Sequence, residues 1–331
     1  MTKNKIIIIK PGYSEFLERE NNSRKVSLGD VLRTTPLLHI YNNDSITWVT
    51  DSEAFPLLEG NSLIHKILPY DFTTALQLKA EEFDIVINLE KIPGICAMAD
   101  GIRARRSRYG FTFNSQTGEV EAVDKAYEVL AVSSNPIAKK ENKRIYQEFL
   151  FEMVGAKWKR EKYSLAYKPN SQESYDIALN TQVGQKWPIK SWPNAKWNIL
   201  EEILVKEGLK VTRQDKQSKG ILNNLYSYMD WINSSKMVIS NDSLGLHMGI
   251  AMEKKVLGLF GPTPSSEVYF YDHGEAILPI SNCKYIPCFE KKCITGENCM
   301  NSITPEVILN KVHEYLKRGQ GIVDIEKEII K

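Results

Sequence analysis

The chain has no apolar run approaching the roughly 18 residues needed to span a bilayer. Its N-terminus, Met1-Thr-Lys-Asn-Lys-Ile-Ile-Ile-Ile-Lys10, holds four consecutive isoleucines before a charge. That is too short for the apolar region of a signal peptide and reads as a buried parallel strand. A strong charge imbalance is also missing. Lys and Arg number 43 against 41 Asp and Glu, a formal net charge of +2, which gives no support to a nucleic-acid binder. There is no P-loop, and the one G-x-G, Gly319-Gln-Gly321, lies near the C-terminus rather than after the first strand. A dinucleotide-dependent oxidoreductase therefore lacks its fingerprint. Short-period repeats and low-complexity tracts are absent. The expectation is a cytoplasmic protein with reduced cysteines, its membrane contact peripheral at the inner face.

What is present is the composition of a soluble globular protein, 42% hydrophobic and 25% charged. At 331 residues two domains are the default. Strands are expected at Ile6 to Ile9, Ser45 to Thr50 and Phe83 to Leu89, with helices over Asp30 to Tyr41 and Ile92 to Arg106. After a polar linker, Lys168 to Ser174, the alternation restarts. Tyr175 to Leu179 and Leu209 to Thr212 read as strands, and Asn194 to Lys206 as a helix. Leu222, Leu225, Met229 and Ile232 lie on one helical face, and a final helix runs from Thr304 to about Lys317. Strands alternating with helices predict α/β architecture with parallel sheets in two similar halves, 1–168 and 169–331.

The most informative stretch is Met237-Val-Ile-Ser-Asn-Asp-Ser-Leu-Gly-Leu-His-Met-Gly-Ile-Ala251, followed by Val256-Leu-Gly-Leu-Phe-Gly-Pro-Thr263. A strand ends at Ser240 and runs through a turn into a helix. The unpaired N–H groups and dipole of that helix favour an anion. The Gly261-Pro262-Thr263 turn follows a second strand and lies on the same edge if the two are parallel. Together they predict a site for a phosphorylated ligand, diphosphate being the natural candidate.

These elements resemble the ADP-heptose-dependent heptosyltransferases, glycosyltransferase family 9. Ser27-Leu-Gly-Asp-Val-Leu-Arg-Thr-Thr-Pro-Leu-Leu38 is similar to the family's LGD-x-x-x-x-x-P-x-L opening. Trp187-Pro-x-Lys190-x-Trp192-Pro193 is similar to its K-x-W-P segment. Asn241-Asp-Ser-x-x-x-His247 with Phe260-Gly-Pro-Thr263 resembles its D-T-G-x-x-H and G-P-T blocks. Cys288, Cys293, Cys299 and Met300, then Ile303 to Val307, resemble a cysteine-spaced tail. The resemblance implies two Rossmann-like domains facing across a cleft, the GT-B type. The N-terminal domain would take the acceptor, and the C-terminal domain, with its terminal helix, the nucleotide sugar. It further implies inverting transfer of a sugar, heptose from an ADP-linked donor, onto a saccharide or surface-glycan hydroxyl, with no metal or cofactor needed for the chemistry. The alternatives are an epimerase or hydrolase of nucleotide sugars with the same shape, and a protein heptosyltransferase.

Displacement at an anomeric carbon needs a base for the incoming hydroxyl and positive potential for the departing diphosphate. Asp30, after Gly29 and the first strand, is the expected base, with helix capping as its alternative role. Lys190 is the expected phosphate contact, with Lys186 competing, and Thr181 offers a hydroxyl. Ser243 and the N–H groups of Leu244 and Gly245 form the expected cradle, completed by Gly261 and Thr263. Asp242 is assigned to orienting the loop or touching sugar hydroxyls. His247 is either a ligand contact or a core residue. Leu244 stands where the family usually has glycine. The segment after Leu209 to Thr212 offers Gln214 or Gln217, not the expected acidic residue, to a ribose. Tyr13 to Val26 is a polar insert, read as a lid or a solvated excursion. Arg103, Arg105, Arg106 and Arg108 read either as a solvated face or as contacts for an acidic acceptor. Cys96 reads as a buried small hydrophobe. Cys283, Cys288, Cys293 and Cys299, spaced x4, x4 and x5, form a candidate structural iron or zinc site, although no gap is the x2 of a zinc ribbon and no histidine completes the set.

Overall fold

A computed structural model describes residues 3–13, 26–184, 187–217, 222 and 224–319. The Tyr13 to Val26 insert lies mostly outside these residues, as do Lys186 and most of the Gly319-Gln-Gly321 stretch. The chain forms two compact units. The first runs to Asn170 and takes in Asn224–Met229 and Ser265–Tyr271 from the later sequence. The second holds the rest from Ser171 onward.

The first unit contains β1 (Lys5–Ile9), β2 (Ser45–Thr50), β3 (Ile64–Pro69), β4 (Glu82–Asn88), β5 (Arg103–Phe113) and β6 (Val120–Val123). They form one sheet in the order β3-β2-β1-β4-β5-β6. All neighbours are parallel except β5 and β6. Ile6, Ile7, Ile8 and Ile9 are all buried, because β1 lies at the centre of a parallel sheet with both faces covered. Ile7, Ile9, Val49 and Val86 pack with Ile95, Met98 and Ala99 from the helix Pro93–Asp100. The second unit contains β7 (Tyr175–Asn180), β8 (Val211–Arg213), β9 (Ser235–Asn241), β10 (Lys255–Leu259) and β11 (Gly274–Ile277), ordered β11-β10-β9-β7-β8 and wholly parallel. Its core joins Ile177, Leu179, Ile239, Leu257 and Leu259 to Trp192, Trp197 and Leu200, with Ile308 and Val312 of the last helix, Pro305–Gly319. Each unit is thus a Rossmann-like α/β layer, as expected.

In both sheets the strand order reverses beside the first strand. β2 lies on one side of β1 and β4 on the other; β8 and β9 flank β7 in the same way. At such a reversal the connections leave toward opposite faces and open a crevice at the carboxyl ends of the strands, where α/β sheets bind ligands.

Several expected elements are corrected. The helix over Ile92 to Arg106 stops at Asp100, where the N–H of Gly101 bonds back to Ala97 and Met98 carbonyls, and Arg103 already opens β5. The helix over Asp30 to Tyr41 begins at Leu28 and tightens into a 3₁₀ turn over Thr35–His39. Pro36 has no N–H to continue an α-helix there. Leu222 precedes its helix, which spans Leu225–Asn233 and buries Met229 and Ile232. Short, weakly patterned strands such as β3, β6 and β11 were not expected at all.

One glycine within β5 permits its close approach to the end of β4. Gly110 has φ +94°, and a Cβ there would lie 1.8 Å from the carbonyl oxygen of Asn88. Left-handed strain and overpacking each cost about 1–3 kcal/mol. Gly110→Ala is expected to lower unfolding free energy by at least about 2 kcal/mol in urea titration; an unchanged midpoint would contradict this packing.

Candidate active site

The reversal in the second sheet lies between the ends of β7 and β9, and the predicted donor residues converge there. Asn180 closes β7, and its amide donates to Ser240 Oγ (2.7 Å) and Ser243 Oγ (2.8 Å). Asn241 closes β9. Its amide donates to the Thr181 carbonyl (2.7 Å), and its oxygen accepts from the Trp192 N–H (3.0 Å). These two asparagines fasten the connection after β7 to the one after β9. Asn180 was missed in the sequence, although its place at a strand's carboxyl end was the available signal.

Ser243 holds the N-cap position of the helix Leu244–Ala251 in extended geometry and makes no side-chain cap bond. The first N–H groups of that helix, at Leu244 and Gly245, are those an anion would meet. Thr181 is buried, and its Oγ1 has no hydrogen-bond partner among the described residues. His247 is 5% exposed.

Lys190, at the end of the 3₁₀ turn Pro188–Lys190, is ion-paired: its Nζ lies 2.8 Å from Asp242 Oδ2. Thr263 Oγ1 donates to the same oxygen at 2.6 Å. Burial works against the charge of Asp242, but the ammonium of Lys190, the nearby His247 and these hydrogen bonds prevail, holding its carboxyl down at about 2. Asp242 therefore fixes both Lys190 and the Gly261-Pro262-Thr263 turn. Gly261 is small for packing reasons: a Cβ would meet Cys299 Sγ and Met300 Sδ, each at 2.8 Å. The cysteine-bearing segment also donates from Phe289 N–H to the Pro262 carbonyl (2.9 Å) and from the Asn298 amide to the Ile189 carbonyl (3.1 Å). It thus buttresses two of the loops at this edge.

All five cysteines are free thiols. Burial, with Cys288, Cys283 and Cys293 nearby, pushes the Cys299 thiol up to about 11. Among the described residues no three His, Cys, Asp or Glu side chains are placed to hold a metal ion, so the four thiols do not form a closed ligand set in this arrangement. Cys96 is buried, as expected of a small hydrophobe, but also donates its S–H to the Glu90 carbonyl (3.2 Å).

The reversal in the first sheet lies between β1 and β4. Asp30 sits in the first turn of the helix Leu28–Thr34 that follows β1. Ser27 holds the N-cap position, so the capping role weighed for Asp30 is not the one it has. Arg33 Nη1 is 4.0 Å from Asp30 Oδ1, and the Arg33 guanidinium stacks 4.2 Å from the Tyr146 ring centroid. Arg33 also donates to the Glu267 carbonyl (3.0 Å). Lys10 and Glu90, unnoticed in the sequence, form a buried ion pair at 3.2 Å. Burial and the charges of Lys10 and Lys139 push neighbouring Lys91 down to about 8, against the opposing pull of Asp30 and Glu90. Asp30 is accordingly surrounded by cations.

Other assignments resolve differently. The arginine run lies toward the opposite, amino end of β5, engaged by local partners. Arg105 pairs with Glu82 (2.8 Å), Arg106 donates to Asn4 Oδ1 (2.8 Å), and Arg108 donates to the carbonyls of Ala99 and Ile102 (2.6 Å each). Arg105 and Arg106 are exposed, and Arg108 is half-buried. Gln214 Oε1 accepts from the Gln182 N–H, and the Gln217 amide donates to Thr212 and Arg213. An acidic residue was in fact present after Thr212: Asp215 bonds the buried Arg213 at 2.7 Å.

Comparison with known proteins bears on the family and the fold. Residues 222–298 match the model of glycosyltransferase family 9 (heptosyltransferase), and the resemblance drawn from the motifs is borne out. Lipooligosaccharide heptosyltransferase 2 of Campylobacter jejuni is 27% identical over 84 residues, 25% of this chain and 26% of that protein. The aligned stretch thus spans about a quarter of that relative. A glycosyltransferase family 9 protein of Veillonella parvula shares the fold at TM-score 0.66 and 17% identity, covering 96% of this chain and 99% of that one. The dodecameric, iron-containing heptosyltransferase TibC of enterotoxigenic E. coli, solved with ADP-D-beta-D-heptose, shares it at TM-score 0.57 and 13% identity, over 96% and 78%.

The Asp242 carboxyl is depressed below its ordinary value of 3.8, so its ion pair contributes fully above about pH 4 and is lost as pH falls toward 2. Wild-type melting temperature should fall more steeply across that window than that of Asp242→Asn. Parallel slopes would contradict the pairing.

Proposed function

We propose that the protein is a glycosyltransferase that moves a sugar, heptose by family pattern, from an ADP-linked donor to a hydroxyl of a saccharide or surface glycan. Transfer proceeds with inversion and without a catalytic metal. The observation that carries this reading is the convergence at the β7–β9 reversal of Lys190, Asp242, Thr263, the unpartnered Thr181 hydroxyl and a helix N-terminus. With Asp242 holding Lys190 and Thr263 in place, the lysine, the Thr181 hydroxyl and the helix N–H groups are donors suited to a diphosphate.

Asp30 is the general base. It takes the proton of the acceptor hydroxyl as that oxygen bonds to the anomeric carbon from the face opposite the diphosphate. The bond from that carbon to the diphosphate oxygen breaks, and its electron pair stays on the leaving group. Lys190, the N–H groups of Leu244 and Gly245, and the hydroxyls of Thr181 and Ser243 offset the charge that develops there. Asp242 keeps Lys190 aimed at the strand ends; as an anion itself it orients the site and leaves phosphate to its neighbours. The residues between 171 and 319 serve the nucleotide sugar, and the first unit serves the acceptor. The cations around Asp30 suit an acceptor bearing an anionic group. Among the described residues no helix is long and apolar enough to cross a membrane.

The test follows ADP release from ADP-heptose with de-acylated lipooligosaccharide core as acceptor. Asp30→Asn should lower kcat by about 10²–10⁴-fold, with ADP binding intact. Lys190→Ala should weaken ADP binding and remove the thermal stabilisation that ADP confers. A wild-type rate in Asp30→Asn would refute the base. Rapid release without acceptor would favour a hydrolase.

A further inference from the structure

We propose that Glu90 is a positioning residue for Asp30, setting the place of that carboxylate through a relay of backbone hydrogen bonds; the inference rests on Asp30 being the base.

Glu90 lies two residues beyond β4, on the far side of the reversal from the helix that bears Asp30, and is wholly buried. Its backbone is fixed at both ends. The Glu90 N–H donates to Asn88 Oδ1 (3.1 Å), and its carbonyl accepts from the Asn88 amide (3.2 Å) and Cys96 Sγ (3.2 Å). From that rigid root, Oε1 accepts from the Gly12 N–H (2.6 Å) and the Tyr13 N–H (3.2 Å), with Lys10 Nζ also at 3.2 Å. The Gly12 carbonyl in turn accepts from the Ser27 N–H (2.8 Å), and the Ser27 carbonyl from the Asp30 N–H (3.0 Å). One carboxylate oxygen is therefore joined to the backbone of Asp30 through three successive bonds, although residues 12 and 27 are separated by fourteen others.

The relay has little slack. Gly12 has φ +92°, and a Cβ there would meet Val31 Cγ2 at 3.0 Å, Val26 Cγ1 at 3.1 Å and Ser27 O at 3.2 Å. Stability alone does not explain the charges, since a buried ion pair is often no better than apolar residues of similar volume. Glu90 Oε2 is buried and accepts no hydrogen bond among the described residues, a state that costs free energy. What the side chain supplies is the reach of a single acceptor oxygen, Oε1, which gathers two N–H groups and an ammonium at one point. That point is where the chain leaves β1 for the Asp30 helix. A displacement of about 1 Å at a reacting group can cost 10²-fold in rate.

The experiment compares three variants by ADP release from ADP-heptose with de-acylated lipooligosaccharide core. Glu90→Ala should lower kcat by about 10–100-fold with KM for ADP-heptose unchanged within twofold. Glu90→Gln keeps the acceptor oxygen and loses the charge; it should recover to within about fivefold of wild type. Glu90→Asp keeps the charge but withdraws the oxygen by a methylene, and should stay slow. If Glu90→Ala fails to fold, the ranking of Gln above Asp decides alone. Asp equal to or faster than Gln, or wild-type kcat in Glu90→Ala, overturns the inference. Asp30→Asn measured alongside separates the two claims. A wild-type rate there defeats the base assignment itself, whereas an inactive Asp30→Asn beside a fully active Glu90→Ala defeats only the role of Glu90.

Discussion

A parallel sheet whose strand order reverses cannot close its carboxyl edge evenly. The connections on either side of the reversal go to opposite faces, and the backbone groups at the strand ends are left to loops. Both units have such a reversal next to their first strand, and the residues with chemical potential collect there. At β1 and β4 they are Lys10, Asp30 and Glu90. At β7 and β9 they are Asn180, Thr181, Asn241, Asp242 and Ser243. The isoleucines of β1 and the apolar runs of β7 and β9 fix these points by burial; the polar residues beyond them fasten the loops.

Much of this was legible in the chain because it is written in short, strong patterns. Four isoleucines in a row specify a central strand, and Ser-Asn-Asp-Ser before Leu-Gly-Leu-His specifies a strand-to-helix turn. What could not be read was pairing. Lys190 was legible as a phosphate contact, but not its pairing with Asp242, 52 positions away and 2.8 Å from it. Lys10 and Glu90 look unrelated until β1 and β4 are placed side by side. The arginines of β5 show their partners only when β4 and the segment before β1 are laid beside them, Arg105 on Glu82 and Arg106 on Asn4. Helix ends were misjudged where a single residue decides them, Gly101 in one case and Pro36 in the other.

The electrostatics of the two edges differ in a way that suits the proposed reaction. At the second reversal a carboxylate is spent on holding a lysine, so the positive charge is positioned before any ligand arrives. At the first, Lys10, Arg33 and Lys91 place positive charge around Asp30. The bonds from the Gly12 N–H to Glu90 and from the Ser27 N–H to the Gly12 carbonyl join the segment after β4 to the start of the Asp30 helix. The cysteine segment plays a mechanical part in the second unit, since it packs beneath Gly261 and bonds to the loop of Lys190.

The central claim is that the helix beginning at Leu244 receives the diphosphate of the donor. The most direct measurement is the amide NMR spectrum of the labelled protein titrated with ADP. The account predicts that the N–H resonances of Leu244 and Gly245 shift most, in step with occupancy. Saturating binding that leaves those two amides unmoved while others shift would contradict it.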